Sequence, residues 1–315
     1  MPARFAMKPR KLGHGQAVGL MVLVTLLWST AGVVTRQLDS TRSFELTFWR
    51  SAFTAAALLV LLPLWQGPGL WRRMRAAGAM LWLSGACWAA MFTCFMLAMT
   101  LTTVANVLIT MALGPLLTAL VAWLWLGHRL PARTGAAIVL AGCGIGWIYG
   151  GQIDAGAGWS GILVAAAVPL AGAINWTLVQ RNQAPGHQLD LAPAVLVGAG
   201  LSALLTLPLA WPLQAGAPDL AWLAALGLGQ LAIPCLLSVI CARSLSAPEM
   251  SLLALLEVLF GIWLAWLGAG ETPPPSTLQG GALVLAALLG NEWLAHRARA
   301  RARAVGDRLA HEPAA

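Results

Sequence analysis

The chain has 315 residues, 59% of them hydrophobic and only 10% charged, against roughly 25% charged in a soluble domain. The formal charge of +8 is spread over short connections and the two ends, with no basic helix interleaved with aromatics, which argues against a nucleic-acid partner. Only a multi-pass membrane protein suits this balance.

Glycine, proline and the few charges divide the chain into ten apolar runs, at about 16–35, 44–65, 77–99, 104–127, 134–150, 159–180, 190–211, 220–242, 249–269 and 277–296. Each is near the ~20 residues a spanning helix needs. Backbone groups cannot go unpaired in hydrocarbon, and the runs are too long and too uniformly apolar for barrel strands, so all ten are expected to be helices. The basic start is followed by an apolar run without a small-x-small cleavage site, which favours a retained first helix over a signal peptide.

Lysine and arginine set the orientation. With both termini cytoplasmic, that side receives 16 of the 19 basic residues, leaving Arg36, Arg42 and Arg50 for the other. Trp65, Trp71, Trp147, Trp159, Trp211, Trp222 and Trp293 fall near run ends, as interfacial anchors do. The tail HRARARARAVGDRL reads as a stop-transfer and anionic-lipid contact.

The fourth and fifth runs follow the same plan as the ninth and tenth. GPLLTALVAWLWLGHRLPARTGAAIVLAG lies on EVLFGIWLAWLGAGETPPPSTLQGGALVLAA with Gly114 opposite Glu257. Five helices per copy is an odd number, so the second copy begins on the opposite side of the membrane and the halves are inverted. The predicted organisation is a cytoplasmic segment 1–15, a first repeat 16–150, a linker 151–158, a second repeat 159–297 and a basic cytoplasmic tail 298–315.

The ninth run, MSLLALLEVLFGIWLAWL, holds one carboxylate, Glu257, in its middle. At helical period Ala254, Gly261, Ala265 and Gly268 share its face, while Leu255, Leu259, Ile262 and Trp266 lie opposite. Small residues let helices approach closely and large apolar ones tolerate lipid, so Glu257 points into the bundle. A charge there costs roughly 2.5–3.5 kcal/mol on insertion scales and needs a partner, water or a proton.

The order of these motifs resembles the EamA branch of the drug/metabolite transporter superfamily. The resemblance rests on LLWST in the first run, FWR in the second, A-N-V-L…G-P-L-L-T-A-L…W-L-G in the fourth, T-G-A-A-I-V-L-A-G in the fifth and L-L-E-V-L-F-G-I-W-L-A-W-L-G in the ninth, and covers about 16–297. It implies an all-α, ten-helix inverted-repeat transporter, its central cavity lined mainly by helices one to four and six to nine. It also implies movement of small metabolites such as amino acids or nucleosides, mostly outward and often driven by protons. Two departures stand out. Gly127-His128 replaces the Gly-Glu common after helix four, and Glu257-Val258 replaces a common Glu-Pro, so no kink is expected there. Gly114-Pro115 would open helix four.

Glu257 fits three roles: proton coupling, counter-ion to a substrate ammonium, or half of a buried pair with Arg50. Arg50 lies ~9 Å of rise from one membrane side and Glu257 ~12 Å from the other. Arg50 alternatively holds a substrate carboxylate through its planar fork, or snorkels to headgroups. Trp28 and Ser29 in helix one, Trp88 in helix three, Asn106 and Thr110 in helix four, Asn175 in helix six and Gln230 in helix eight are further candidates to line a polar path. Helix packing and interhelical hydrogen bonds are the plainer role for each. Pro115, Pro169 and Pro234 are candidate hinges.

Cys87, Cys94, Cys143, Cys235 and Cys241 sit in apolar runs and the histidines (14, 128, 187, 296, 311) in loops or tails, so no metal or cofactor site is expected. Without a nucleotide-cradling glycine motif, the chain is expected to be a secondary transporter rather than an ATP-driven pump. Glu249, Glu271 and Glu292 are dispersed, which argues against a membrane enzyme. The reading is thus a proton-coupled exporter of an amino acid or similar amphiphile in a bacterial inner membrane, working by alternating access. A broad-specificity drug exporter is the nearest alternative, a membrane-embedded enzyme or a non-transporting membrane protein is the alternative from another class, and the sequence is silent on oligomeric state.

Overall fold

The computed structural model describes residues 12–38, 42–67, 69–127, 130–153, 159–182, 191–241, 244–245, 250 and 253–311. The basic residues through Lys11, together with His128, Arg129, residues 154–158 of the linker, His187, Arg243, Glu249 and residues 312–315, lie outside that set.

All regular structure among the described residues is helical. In order these are α1 (His14–Thr35), α2 (Ser43–Gln66), the short α3 (Leu70–Ala76), α4 (Gly78–Leu101), α5 (Val104–Met111), α6 (Gly114–Leu126), α7 (Ala132–Ile153), α8 (Trp159–Asn182) and α9 (Ala194–Ala210). Next in the chain come α10 (Ala217–Ala225), a π-helical segment (Leu226–Ala232), α11 (Ile233–Cys241), α12 (Leu256–Ala269) and α13 (Pro275–His311). Eight segments are long and apolar enough to cross a membrane, counting Val104–Trp125 and Ala217–Ser238 as single spans. Ala194–Ala210 and Leu256–Ala269 are shorter apolar helices.

Lipid accounts for the helices, and the breaks have local causes. Pro115 stands in the first turn of α6, directly after the interruption at Ala112–Leu113. The helical run through Glu257 is also interrupted, at Leu255, and α12 starts afresh at Leu256 without any proline, while Glu257-Val258 itself is helical. Both α6 and α12 stop at a left-handed glycine, Gly127 (φ 66°) and Gly270 (φ 66°), where a side chain would be strained.

The helices pack in a definite set of pairs: α1 on α12 and α11, α2 on α9 and the π segment, α4 on α8 and α9, α5 on α12, α6 on α8, and α7 on α13. The α7–α13 contact is backbone against backbone, since a Cβ on Gly144 would stand 2.7 Å from the Gly280 carbonyl. The largest buried cluster gathers Leu46, Phe95, Met99, Val107, Leu108 and Val258 from several helices. Leu64, Leu124, Val139, Leu163 and Leu204 point outward, Leu64 being 78% exposed. An apolar exterior of this kind is stable only against lipid. Trp71, Trp147, Trp211 and Trp222 are exposed near helix ends, where interfacial anchors belong, and Trp293 is exposed in the middle of α13, which continues to His311.

Candidate substrate-binding centre

Arg50 is carried into the interior by α2, and only 2% of its surface is exposed. Its Nε and one terminal nitrogen donate to Gln230 Oε1 at 3.2 and 2.9 Å. The guanidinium carbon lies 5.4 Å from the Phe95 ring centroid, in cation–π range. The remaining nitrogen, Nη1, is buried with no hydrogen-bond partner among the described residues, as is Nε1 of the adjacent Trp49. An unsatisfied buried donor costs about 1–3 kcal/mol, more when charged, so a ligand that accepts from Nη1 would recover that energy.

Gln230 reaches Arg50 from the π-helical segment. Ile233 N–H donates to the Leu228 carbonyl, five residues back rather than four. Pro234, having no N–H, cannot supply the α-type bond to the Gln230 carbonyl. The segment also docks tightly on α2: a Cβ on Gly227 would lie 2.7 Å from Phe53 Cβ and 2.9 Å from the Arg50 carbonyl oxygen. Thr54 Oγ1 donates to the Arg50 carbonyl at 2.8 Å and to the Gly227 carbonyl at 3.1 Å. Gln230 Nε2 donates to the Trp28 carbonyl at 3.2 Å, joining α1 to the same point.

Glu257 stands in the first turn of α12. Its backbone carbonyl accepts from Ser29 Oγ at 3.3 Å. Its side chain is partly exposed, and among the described residues nothing donates a hydrogen bond to it. Arg50 is the charged residue that acts on it electrostatically, yet the two form no ion pair, because the Arg50 fork is turned to Gln230. The arrangement is thus a buried cation and a carboxylate held near one another but unjoined. Gly261 abuts Leu108 and Ala265 is buried, while Leu259 and Trp266 face outward; Leu255 and Ile262, expected on the outer face, instead pack against the largest buried cluster.

The other candidate residues divide by what their polar atoms do. Asn106 accepts from Thr277 Oγ1 at 2.8 Å and donates to Thr102 Oγ1 at 2.9 Å. Thr110 donates to the Asn106 carbonyl and lies 3.0 Å from Tyr149 Oη. Asn175 Oδ1 accepts from Ser84 Oγ at 2.6 Å, and Ser29 donates to the Thr25 carbonyl at 2.6 Å as well as to α12. These groups knit helices together. Trp28 borders the Arg50–Gln230 contact through its carbonyl, whereas Trp88 tilts on Phe92 at 5.4 Å in the cluster between α4 and α9. Pro169 lies inside the unbroken α8, and Pro234 stands just after the π segment at the start of α11.

At the end of the bundle where α1 stops and α2 begins, two acids tie helices together. Glu271 takes Arg36 Nε at 2.7 Å through Oε2 and the Val104 N–H at 2.7 Å through Oε1, while Arg36 donates to the Thr102 carbonyl at 2.8 Å. Glu45, only 1% exposed, accepts from the Gln214 and Ala215 N–H groups at 2.6 and 2.7 Å. Arg42 donates to the Ala210 carbonyl at 2.6 Å. Sequence reasoning treats Glu271 as a dispersed acid and misses Glu45, Phe95 and the π segment. The acid in the first turn of α2 and the Gly-x-Gly before Pro234 are the available signals.

Helices with an apolar outer surface around a charged interior define a multi-pass membrane protein with a polar centre. Residues 15–150 match the EamA-like transporter family, a family of the drug/metabolite transporter superfamily. None of the curated proteins matches the sequence. Nine chains of solved structures match. One, titled only "Crystal structure of protein", is 19% identical, covers 90% of this chain and 99% of its own length, and superposes with a TM-score of 0.61. At that identity the likeness speaks for the fold alone.

Proposed function

We propose that this protein is a secondary transporter that exports a small metabolite, an amino acid or similar amphiphile, across the bacterial inner membrane. The observation that carries the reading is the separated charge pair. Arg50 keeps a buried N–H without a partner, and the nearby Glu257 carboxylate has no donor among the described residues. A solute with a carboxylate for Arg50 and an ammonium for Glu257 would satisfy both, and an exchangeable proton would satisfy Glu257 when the solute has left.

Alternating access between two inverted repeats, 16–150 and 159–297, is the motion we assign. The packing pairs support it. Pairing each helix with the one five runs later turns α1–α12 into α8–α6, α2–π segment into α9–α4, and α4–α8 into α11–α1. The pairs α2–α9 and α7–α13 map onto themselves. A pseudo-two-fold relation has this property, and the matching breaks before Gly114 and Leu256 obey it too. Ten spans with cytoplasmic termini result if Ala194–Ala210 and Leu256–Ala269 also cross, which the distribution of lysine and arginine favours.

The test is metabolite profiling of cells and medium for bacteria carrying empty vector, wild type or Glu257→Gln at equal membrane abundance. A solute class that moves to the medium with wild type and stays inside with the variant is the expected result. An unchanged profile in both would remove the export reading, and equal export by the variant would remove Glu257 from it.

A further inference from the structure

We infer that Gln230 is a positioning residue for Arg50, and that the π-helical turn exists to put it there. The inference rests on the proposed role of Arg50 as the carboxylate site. Gln230 occupies the Nε edge of the guanidinium with a single oxygen and anchors itself to the Trp28 carbonyl, so the fork has one orientation. That orientation leaves Nη1 without a partner among the described residues. Because the holding group is a neutral amide, the positive charge of Arg50 is not cancelled. A carboxylate in the same place would keep the bonds from Arg50 but could not donate to the Trp28 carbonyl, and it would neutralise the charge an anionic group needs.

The backbone supplies the placement. A π turn accommodates one more residue than an α turn, which rotates the residues before it by roughly 100° relative to those after it. Pro234 disfavours the α register at the Gln230 carbonyl, and Gly227 permits the close approach to α2. In an α register Gln230 would turn away from Arg50 while Cys235 and the rest of α11 kept their places.

Ligand binding to the purified full chain, read by titration calorimetry, tests this with three probes: L-leucine, 4-methylpentanoate, which lacks the ammonium, and leucinamide, which lacks the carboxylate. Wild type is expected to bind the first two and not the third. Gln230→Glu, which also gives up the bond to the Trp28 carbonyl, is expected to weaken both by roughly tenfold or more. Gln230→Met, which keeps the charge of Arg50 but loses the hydrogen bonds, is expected to weaken them less. A merely structural glutamine predicts lowered unfolding temperatures with unchanged affinities for both variants, and that result would overturn the inference. If Gln230→Glu does not fold, a cycle decides. Gln230→Met, Pro234→Ala and the double variant are expected to lose the same affinity, whereas additive losses refute the link between register and Arg50. Failure of the underlying reading looks different: wild type binds leucinamide as well as leucine, or binds none of the three, and Arg50→Gln changes nothing.

Discussion

Arg36 and Glu271, 235 residues apart in the chain, meet at 2.7 Å where α1 ends and the turn into α13 begins. The contact is more than a surface ion pair, because the second carboxylate oxygen caps the Val104 N–H at the start of α5 and Arg36 also holds the Thr102 carbonyl. One acid thereby fastens elements of both halves at one end of the bundle.

Glu271→Ala removes the acceptor for two donors at once and is expected to lower stability by about 1–3 kcal/mol. Glu271→Gln retains an oxygen for Val104 and should lose less. Thermal unfolding in detergent reads both, and equal unfolding temperatures for wild type and Glu271→Ala would contradict the assignment.

Glu45 is the more buried of the two acids and accepts two backbone N–H groups from the connection between α9 and α10. Its replacement by alanine should cost more, about 3 kcal/mol, and should loosen residues 211–216. Limited proteolysis of that connection, faster in Glu45→Ala than in wild type, is the direct check.

For transport the two charged residues should behave unlike the hydrogen-bonding ones. Glu257→Gln is expected to abolish coupled export, and Arg50→Lys to reduce it about tenfold or more, because an ammonium cannot serve Gln230 and a ligand through one planar fork. Asn175→Ala breaks only the Ser84 contact, worth roughly 0.6 kcal/mol inside a membrane, and should export normally. Loss of export in Asn175→Ala at full abundance would move that residue into the site.

Proton coupling has a sign. Export in exchange for inward-moving protons should quicken when the outside is made acidic and stop when a protonophore collapses the gradient. Vesicles of defined orientation loaded with the solute found by profiling would show this, and indifference to the gradient would exclude the proton as coupling ion.

Gly227 tests the packing under the site. A methyl group there meets Phe53 and the α2 backbone, with the Arg50 carbonyl at 2.9 Å. Gly227→Ala should therefore destabilise by about 1–3 kcal/mol and weaken substrate binding as well, since α2 must shift. Unaltered unfolding and transport would mean that the π segment tolerates displacement.

Much of the architecture is legible before folding, because the solvent imposes it. A run of twenty apolar residues has few options in hydrocarbon, so helices over 16–35 or 77–99 follow from composition, and Gly127 and Gly270 announce their caps through the left-handed conformation only glycine adopts easily. The inward face of Glu257 is likewise readable, since Gly261, Ala265 and Gly268 recur on it.

Periodicity cannot supply which side chains meet. A residue's depth along a helix says nothing of rotation about it, so Arg50 and Glu257 at compatible depths are equally consistent with a pair or a gap. Tertiary packing decides for the gap by giving the Arg50 fork to Gln230, and that choice depends on a π turn whose extra residue is invisible to a 3.6-residue pattern. Asn106 and Asn175 read alike in sequence as polar atoms in hydrocarbon, and only the positions of Thr277, Thr102 and Ser84 show their hydrogen bonds to be spent within the bundle. The chain's chemistry settles its solvent and its helices, while the contacts that assign work to each polar group come from elements up to 235 residues apart and exist only once those helices pack.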